Sequence, residues 1–152
     1  MINSKEDLTR FLASDKKALY ITNRKRPKLF GDEIWKFQIY LRKLEYYNNC
    51  KTSIVSRPFF YFIKYKYHRI SIKLGFSIPI NVFDEGLSIA HRGTIIVNGG
   101  AVIGKNCRVH AGVNLGTAIY KKNHAPVIGD NVYIGPGVKI FGKIKIASNI
   151  KI

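Results

Sequence analysis

The sequence predicts an α+β fold, in which an N-terminal α-helical region precedes a C-terminal left-handed parallel β-helix of hexapeptide repeats. Two observations lead to this prediction. Apolar residues recur at helical spacing in the first half of the 152-residue chain, and from about Ile78 onward they recur every six residues. We place the domain boundary at this change of period, between a helical region, 1–76, and a β-helix domain, 77–152.

The helical region is expected to contain three helical segments. Ser4 and Asp7 have the spacing of a capping box, and the apolar residues after them predict one or two short helices. A second helix is predicted to follow Gly31 and to end near Asn48, because the segment between them carries an amphipathic stripe. This stripe consists of Ile34, Phe37, Leu41 and Leu44.

A third helix is predicted from Pro58 to about Gly75, and it interleaves aromatic residues with lysines. A helix of this composition can lie on a membrane surface or bind nucleic acid. We prefer the interpretation that its apolar residues pack on the other helices while the cationic side chains extend along the surface. The residues expected to pack are Phe59, Phe60, Phe62 and Ile63.

The six-residue period predicts a triangular solenoid, in which each hexapeptide forms one flat side and turns one corner. Two apolar rows are expected to stack in its core, with small residues at the corners. The first row is Ile103, Val109, Leu115, Ile128, Ile134, Ile140, Ile146 and Ile152. The second row is Cys107, Val113, Ile119, Val132, Val138, Ile144 and Ile150.

The period slips by one residue between Leu115 and Ile128, so the segment TAIYKKNHAP is predicted to leave the coil as a loop. A loop inserted into a regular solenoid is typical of a functional site. Ile152 falls on a repeat position, and the C-terminal coil is therefore expected to be truncated or to be covered by a partner subunit.

The net charge of +17 is shared by both halves of the chain and favours anionic partners. Nucleic acid is not expected among them, because no recognised nucleic-acid motif accompanies the charge. No apolar stretch is long enough to span a membrane and the N-terminus lacks a signal-peptide core, so we predict a cytoplasmic protein, with peripheral contact at the inner membrane face left open. Cys50 and Cys107 match no metal spacing and are expected to be free thiols.

Four motifs follow one another in the second half of the chain. They are AHRGTIIV at 90–97, Leu-Gly-Thr at 115–117, a loop containing His124, and IGDNVYIG at 128–135. In this order they resemble the serine acetyltransferase branch of the hexapeptide acyltransferases, over about residues 75–152. The resemblance implies an enzyme that transfers an acetyl group from acetyl-coenzyme A to a hydroxyl without a metal, assembled as a homotrimer or a dimer of trimers.

The resemblance also implies the site residues. His91 falls on the family's catalytic histidine, and His124 falls on a loop histidine that helps to bind the acceptor. The segments that line the coenzyme groove between subunits contain Gly116, Thr117, Gly135, Pro136 and Gly142. The role of His91 also fits its chemistry, because an acceptor hydroxyl needs a base and neutral imidazole is one near pH 7. His68 and His110 are interpreted as structural or surface residues.

The acceptor is harder to assign, because two acids of the serine acetyltransferases are missing. Ala90 replaces the acid that directly precedes the histidine, and Phe76 replaces a second acid further upstream. Asp84 or Glu85 is a candidate to orient His91 instead. The segment GFSIPINVFDEGLSIAHRGTIIVN looks closer to enzymes of capsule, exopolysaccharide or lipopolysaccharide synthesis. We therefore expect a sugar hydroxyl as the acceptor, with the serine of cysteine biosynthesis as the alternative.

Two other classes of protein were weighed. A non-catalytic β-helix scaffold is favoured by the missing acids and disfavoured by the presence of both histidines, and coenzyme A binding distinguishes it from an enzyme. A zinc enzyme of the γ-carbonic anhydrase type is not expected, because the chain lacks that family's closely spaced histidine pair.

Overall fold

The first half of the chain is helical and packs on the first coil of a parallel β-helix. The structure, a computed structural model, describes residues 1–119 and 124–152. The helices are α1, Lys5–Ala18, α2, Glu33–Cys50, and α3, Arg57–Leu74, with a short 3-10 helix, Ile54–Ser56, before α3. The predicted helices are therefore present, and the first segment forms one continuous helix.

The helix ends follow from the residues that cap them. The Ser4 hydroxyl accepts a hydrogen bond from the backbone N–H of Asp7 at 3.0 Å, as the capping box predicts. At the other end of the region, α3 stops at Gly75, whose φ of +76° is left-handed. Glycine adopts this conformation without the steric cost that a side chain would add, so it turns the chain into the first strand.

A buried ion-pair network centred on Arg42 holds α1 and α2 together. The Arg42 side chain is fully buried, and its Nε donates to Asp15 Oδ2 of α1 at 2.8 Å. Its Nη1 donates to Glu45 Oε2 at 3.0 Å. The same guanidinium donates to the backbone oxygens of Phe83 and Asp84 at 2.8 and 2.7 Å. One arginine therefore satisfies groups on both helices and on the segment that enters the β-helix.

The carboxylate of Asp15 continues this network into the first coil. It accepts hydrogen bonds from the backbone N–H groups of Gly86 and Leu87, both at 2.9 Å. Nearby, the Ser88 hydroxyl donates to the backbone oxygen of Ala18 at 3.0 Å. Because buried charges and backbone groups need partners, these contacts specify how the helical region sits on the coil.

The β-helix is built from short parallel strands that stack into three sheets. Sheet A has the order β1-β3-β6-β9, sheet B has the order β4-β7-β10, and sheet C has the order β2-β5-β8. The strands are β1 Phe76–Ser77, β2 Ser88–Ile89, β3 Ile95–Val97, β4 Val102–Ile103, β5 Arg108–Val109, β6 Asn114–Gly116, β7 Val127–Ile128, β8 Tyr133–Ile134, β9 Lys139–Phe141 and β10 Lys145–Ile146. The chain visits the sheets in turn, so each coil has three flat sides, as the six-residue period predicts.

The strand register agrees with the repeat. Ile128 pairs with Ile146, three hexapeptides further along the chain. Ile103 pairs with Ile128 across a longer stretch, because the inserted segment lengthens that coil. Residues 120–123 of the predicted loop lie outside the described residues.

Residues of both apolar rows lie in the core together with residues of α2, α3 and the first coil, whereas the row residues Ile144, Ile150 and Ile152 are exposed. In the first row the residues from Ile103 to Ile140 are buried. In the second row Cys107, Val113 and Val132 are buried, whereas Ile119 is exposed because it belongs to the inserted segment. Burial raises the pKa of the Cys107 thiol to about 12, so this cysteine is an unreactive core residue.

A ladder of asparagines lines the corner between sheets B and C. Asn106, Asn131 and Asn149 all have positive φ, between +56° and +63°. The side-chain amide of each of the first two donates to the carbonyl oxygen of the next side chain at 3.0 Å. Asparagine tolerates the left-handed conformation and bonds along the stack, so it stabilises the turn in successive coils.

The expected packing of α3 is wrong for two of its aromatic residues. Ile63 is buried and Phe60 is half-buried, but Phe59 and Phe62 are more than half exposed. The reason is geometric, because α3 packs on α2 and β1 through a narrow stripe that also contains Ile70 and Leu74. In the described part of the chain, none of the helices combines the length and apolar character required to cross a membrane.

Candidate active site at two edges of sheet A

The predicted site residues lie at two corners of the β-helix. The C–A corner, which leads from sheet C into sheet A, contains residues 90–94, 110–113 and 135–138. The A–B corner, which leads from sheet A into sheet B, contains residues 98–101, 142–144 and the described parts of 117–126. His91, Gly135 and Pro136 lie at the C–A corner. Gly116, at the end of β6, lies beside Thr117, His124 and Gly142 at the A–B corner.

His91 is exposed at the C–A corner and is part of a stack of rings. Its ring centroid lies 5.7 Å from that of His110, which occupies the same corner in the next coil. The His110 centroid lies 4.9 Å from that of Tyr133, one coil further on. His110 was expected to be a structural or surface residue, but its ring contacts the predicted catalytic histidine.

The environment of His110 favours its neutral form. Burial lowers the pKa of its imidazole, and the positive charges of Arg108 and His91 lower it further. Within residues 1–119 and 124–152, its Nε2 atom is buried and has no hydrogen-bond partner. A neutral imidazole therefore lies against the ring of His91.

The acids predicted to orient His91 have other partners. The Glu85 carboxylate accepts from Arg10 at 2.9 Å and contacts Lys105 at 3.0 Å. The Asp84 carboxylate accepts from the backbone N–H of Glu85 at 2.8 Å. Among the described residues no hydrogen bond joins either acid to His91, whereas the ring of His110 lies against it.

A cavity of about 290 Å³ opens between the β-helix and the segment before α2, and it is lined by the two residues that flank His91 but not by His91 itself. Ala90 and Arg92, which flank His91, form one wall. The other wall contains Arg24, Asp32 and Glu33, and apolar residues close the remainder. The apolar lining residues are Leu19, Ile21, Ile34, Trp35 and Ile89.

The charged side chains that line this cavity form two ion pairs, one across the cavity and one within a wall. Nη2 of Arg92 donates to Glu33 Oε2 at 2.9 Å, and the Arg24 guanidinium donates to the Asp32 carboxylate. The hydrogen bond from Arg24, then that from the backbone N–H of Lys28, lowers the pKa of Asp32. The pKa of Glu33 is lowered by a hydrogen bond from the backbone N–H of Glu33 itself, and then by Lys73 and Arg92. Both acids are therefore anionic near neutral pH.

The A–B corner offers an acid-free edge. Gly116 pairs with Phe141, whose ring is half exposed, and a Cβ at Gly116 would lie 2.5 Å from that ring. The backbone N–H of Gly142 donates to the Gly116 oxygen at 3.1 Å, with a φ of +88° at Gly142. Exposed lysines lie on and after β9, at Lys139, Lys143 and Lys145. This edge combines two glycines, a half-exposed aromatic ring and positive charge.

The remaining predicted residues are placed as follows. His124 is half-buried, and its backbone oxygen accepts a hydrogen bond from Ala118 at 3.4 Å. Gly135 is buried, and Pro136 beside it is exposed. No hydrogen bond or ring contact joins His124 to His91 in the part of the chain that is described. The two histidines therefore belong to different edges of sheet A in one copy of the chain.

No family model matches the chain. In sequence, the chain is similar to a serine acetyltransferase of Staphylococcus epidermidis, with 43% identity over 67 residues, which are 43% of this chain and 32% of that protein. A serine acetyltransferase of Synechococcus elongatus is 32% identical over 69 residues, which are 45% of this chain and 28% of that protein. The chain thus matches less than a third of the length of these curated relatives.

Solved structures share the fold over nearly the whole chain. Serine acetyltransferase 1 of Entamoeba histolytica has a TM-score of 0.71 and 21% identity, and the likeness covers 95% of this chain and 56% of that one. A serine acetyltransferase of Neisseria gonorrhoeae in complex with serine has a TM-score of 0.61 and 23% identity, over 97% and 60% of the two chains. A serine acetyltransferase in complex with CoA has a TM-score of 0.67 and 19% identity, again over 97% and 60%. The predicted helical region followed by a left-handed β-helix is confirmed.

These comparisons confirm the resemblance to serine acetyltransferases and correct the predicted acceptor. A sugar hydroxyl was preferred because the segment around His91 looked closer to polysaccharide enzymes. The expectation is wrong, since the relatives and the solved neighbours described above are serine acetyltransferases. The missing acids misled the prediction, because the charged groups around the cavity come partly from the helical region, at Arg24, Asp32 and Glu33.

Proposed function

From this resemblance, we propose that the chain is an acetyl-CoA-dependent serine O-acetyltransferase of the type that supplies cysteine biosynthesis. In this proposal the helical region, 1–76, contributes charges that bind the acceptor, and the β-helix domain, 77–152, contributes the base and the coenzyme edge. The observation that carries the proposal is the cavity of mixed charge that is lined by Ala90 and Arg92, the residues on either side of His91. The cytoplasmic location predicted from the sequence stays a prediction.

The cavity suits an amino acid better than a sugar. Serine carries an ammonium group and a carboxylate, and the walls present two carboxylates and two guanidinium groups. The serine carboxylate would take hydrogen bonds from Arg92 or Arg24, which bind carboxylates in a planar geometry. The ammonium group would donate to Glu33 or Asp32. A neutral sugar has no charged group to bind to these side chains, which pair with one another as Arg92 with Glu33 and Arg24 with Asp32.

His91 acts as the general base in this proposal. Its imidazole accepts the proton of the serine hydroxyl while that oxygen bonds to the carbonyl carbon of the acetyl thioester. The carbon–sulfur bond then breaks, and the coenzyme leaves as a thiol that takes up the proton from His91. His110 is a positioning residue here, because its neutral ring contacts His91 without adding positive charge. His124 is proposed as a second catalytic residue, which helps to hold the acceptor.

The A–B corner fits a coenzyme that carries phosphates on an extended chain. The exposed lysines near Gly116 and Gly142 attract phosphate groups, and the half-exposed ring of Phe141 covers Gly116. We assign coenzyme binding to this edge, with Thr117 as a hydrogen-bonding side chain. Gly135 and Pro136 would line the groove from the other corner.

A complete site then requires more than one copy of the chain. His91 and His124 lie at different edges of sheet A in one copy of the chain. When two copies pack side by side, the C–A corner of one can lie against the A–B corner of the other. His91 of one copy then lies near His124 of its neighbour. Closed rings of this kind form when each copy contacts the next in the same way. We propose a homotrimer, in which each site takes His91 from one copy and His124 from the next.

Release of free coenzyme A thiol tests the proposed reaction. The full chain is incubated with acetyl-CoA and serine, and His91→Ala is expected to lower kcat/KM by about 10²- to 10⁴-fold, because that is the usual contribution of a general base. The matched control is His68→Ala, which removes an exposed histidine of α3 and is expected to leave the rate unchanged.

The acceptor panel separates serine from sugars and tests the mixed-charge cavity. Serine methyl ester lacks the carboxylate and N-acetylserine lacks the ammonium group, so both are expected to react much more slowly than serine. Release with simple glycosides but not with serine would contradict the proposal. Coenzyme A binding without release by any serine analogue would favour a non-catalytic scaffold.

A further inference from the structure

The segment around α3 is unusual in charge. No acidic residue occurs between Glu45 and Asp84, although this stretch contains six lysines and arginines. They are Lys51, Arg57, Lys64, Lys66, Arg69 and Lys73. The stretch between Asp15 and Asp32 is the other long acid-free part of the helical region, and it does not lie on α3. All charged side chains of this segment are therefore positive, and one of them, Lys73, pairs with Glu33 of α2 at 3.4 Å.

The outward face of α3 is apolar as well as basic. Tyr61, Phe62, Tyr65 and Ile72 are between 57% and 67% exposed. At 100° per residue they fall on the side of α3 opposite the buried residues Ile63, Ile70 and Leu74. The 3-10 helix before α3 adds two exposed aliphatic side chains, Ile54 and Val55. We call this set of six exposed side chains the α3 stripe.

Cationic side chains flank the α3 stripe on both sides. Lys64 and Arg57 project from one side of α3, and Lys66 and Lys73 project from the other. The Lys66 Nζ lies 5.4 Å from the centre of the Phe62 ring, so this ammonium group stays beside the apolar stripe. An exposed apolar stripe between two rows of cations is the arrangement of helices that lie in the interface of an anionic membrane.

Three kinds of occupant could cover such a face, and the side chains distinguish them. A second copy meeting the same face would bring two acid-free cationic surfaces together, and like charges repel. Single-stranded nucleic acid uses aromatic rings for stacking, but Ile54, Val55 and Ile72 have no ring to stack. Lipid acyl chains accommodate both aromatic and aliphatic side chains, and anionic headgroups pair with the flanking lysines.

We propose that the α3 stripe and its flanking cations dock the protein onto the surface of a membrane that contains anionic phospholipids. The helix lies parallel to the surface, with the stripe at the level of the headgroups and the lysines beside the lipid phosphates. This contact is peripheral, and it does not depend on the proposed acetyl transfer.

Vesicle sedimentation tests the proposal with the full chain. The protein is mixed with vesicles of phosphatidylcholine alone or of phosphatidylcholine with phosphatidylglycerol. Binding is expected only to the mixed vesicles, and it should weaken as salt increases because exposed charges are screened. Tyr61→Ser/Tyr65→Ser leaves the net charge unchanged and is expected to lower partitioning by roughly tenfold, since it removes half of the aromatic and aliphatic contact area at the centre of the stripe.

A pair of charge variants separates the α3 surface from the overall charge. Lys64→Gln/Lys66→Gln is expected to lower partitioning by roughly tenfold, because each cation near the surface contributes to binding. Lys17→Gln/Lys43→Gln removes the same amount of charge from exposed positions on α1 and α2. It should change partitioning less than twofold, because charges far from the lipid surface are screened by salt. Far-ultraviolet circular dichroism and thermal melting verify that each variant is folded.

The proposal is overturned by any of three results. Absence of binding to the mixed vesicles is the first, and equal loss of binding in the two charge variants is the second. The third is that vesicle binding does not occur and the α3 stripe is instead required for another interaction. That interaction would be binding to single-stranded DNA, or self-association measured by sedimentation velocity. Failure of the acetyl-transfer assay would leave the vesicle results unaffected, so the two proposals are tested separately.

Discussion

Apolar packing stabilises the β-helix, whereas a buried charged network joins the helical region to it. The core of the β-helix consists of aliphatic rows repeated by the sequence, and parallel strands satisfy the backbone from coil to coil. The helical region is joined to it through the fully buried Arg42, which bonds to Asp15, Glu45 and two backbone oxygens. Substituting one residue of an apolar row by another apolar residue lowers the free energy of unfolding modestly. Removing one member of a buried charged network lowers it strongly, because the remaining charges lose their partner.

The largest predicted effect comes from breaking the charged network. Arg42→Met leaves the Asp15 and Glu45 carboxylates buried without their cation, and we expect a loss of about 3–5 kcal/mol in the free energy of unfolding. The control is Lys105→Met, which removes an exposed partner of Glu85 and is expected to cost far less than Arg42→Met, because exposed ion pairs contribute little. Urea unfolding followed by circular dichroism measures both. Equal losses in the two variants would show that the network does not hold the regions together.

A smaller effect is expected from shortening one side chain of an apolar row. Ile134→Ala removes buried methyl and methylene groups from a fully buried position, and it should cost roughly 3 kcal/mol. Ile144→Ala makes the same chemical change at a repeat position that is 44% exposed, and it should cost less than about 1 kcal/mol. Unfolding curves that place the two variants at the same midpoint would contradict the assignment of these rows to the core.

The smallest predicted effect concerns His110, a polar residue on the β-helix. Burial, with help from Arg108 and His91, lowers its pKa in the folded state, so below about pH 6.5 the unfolded chain binds more protons. Stability contributed by the neutral imidazole is therefore present above that pH and is lost as the pH falls. His110→Leu lacks this contribution, and its stability should change less than that of the wild type between about pH 7.5 and about pH 5.5. A larger change in the variant would contradict the neutral state of His110.

The difference between the two regions explains how much of the fold could be predicted. A repeat displays its period within a short stretch of sequence, so the rows that include Val109 and Ile134 predicted the β-helix without any long-range information. Caps are local too, and the Ser4 and Asp7 pair predicted the start of α1. The Arg42 network joins residues from three distant parts of the chain, and no local pattern shows which charges will meet.

The exposure of α3 was missed for a related reason. Helical periodicity showed that the segment forms a helix, but it did not show how wide a face the neighbouring elements would cover. The structure buries a narrow stripe that includes Ile63 and Leu74, and it leaves Phe59 and Phe62 exposed. The sequence showed an acid-free stretch that is rich in aromatic residues. It did not show that these aromatic side chains face the solvent.

The candidate site shows the same division. His91 and His124 were predicted because motifs of the repeat region contain them. Arg24 and Glu33 were missed because they belong to the helical region, where no motif marks them as parts of a cavity. The contact between His91 and His110 follows from the stacking of successive coils, and strand register could have suggested it once the coil length was known.

The most direct test of the account is whether neighbouring copies share one active site. His91→Ala and His124→Ala are each expected to be inactive with serine and acetyl-CoA. When the two variants are co-expressed, a site that takes His91 from one copy and His124 from the next regains both residues in about a quarter of cases, by random assembly of a ring. Recovery of about a quarter of the wild-type rate is the predicted result. No recovery in mixed assemblies that are shown to contain both variants would contradict a site built across two copies at the edges of sheet A.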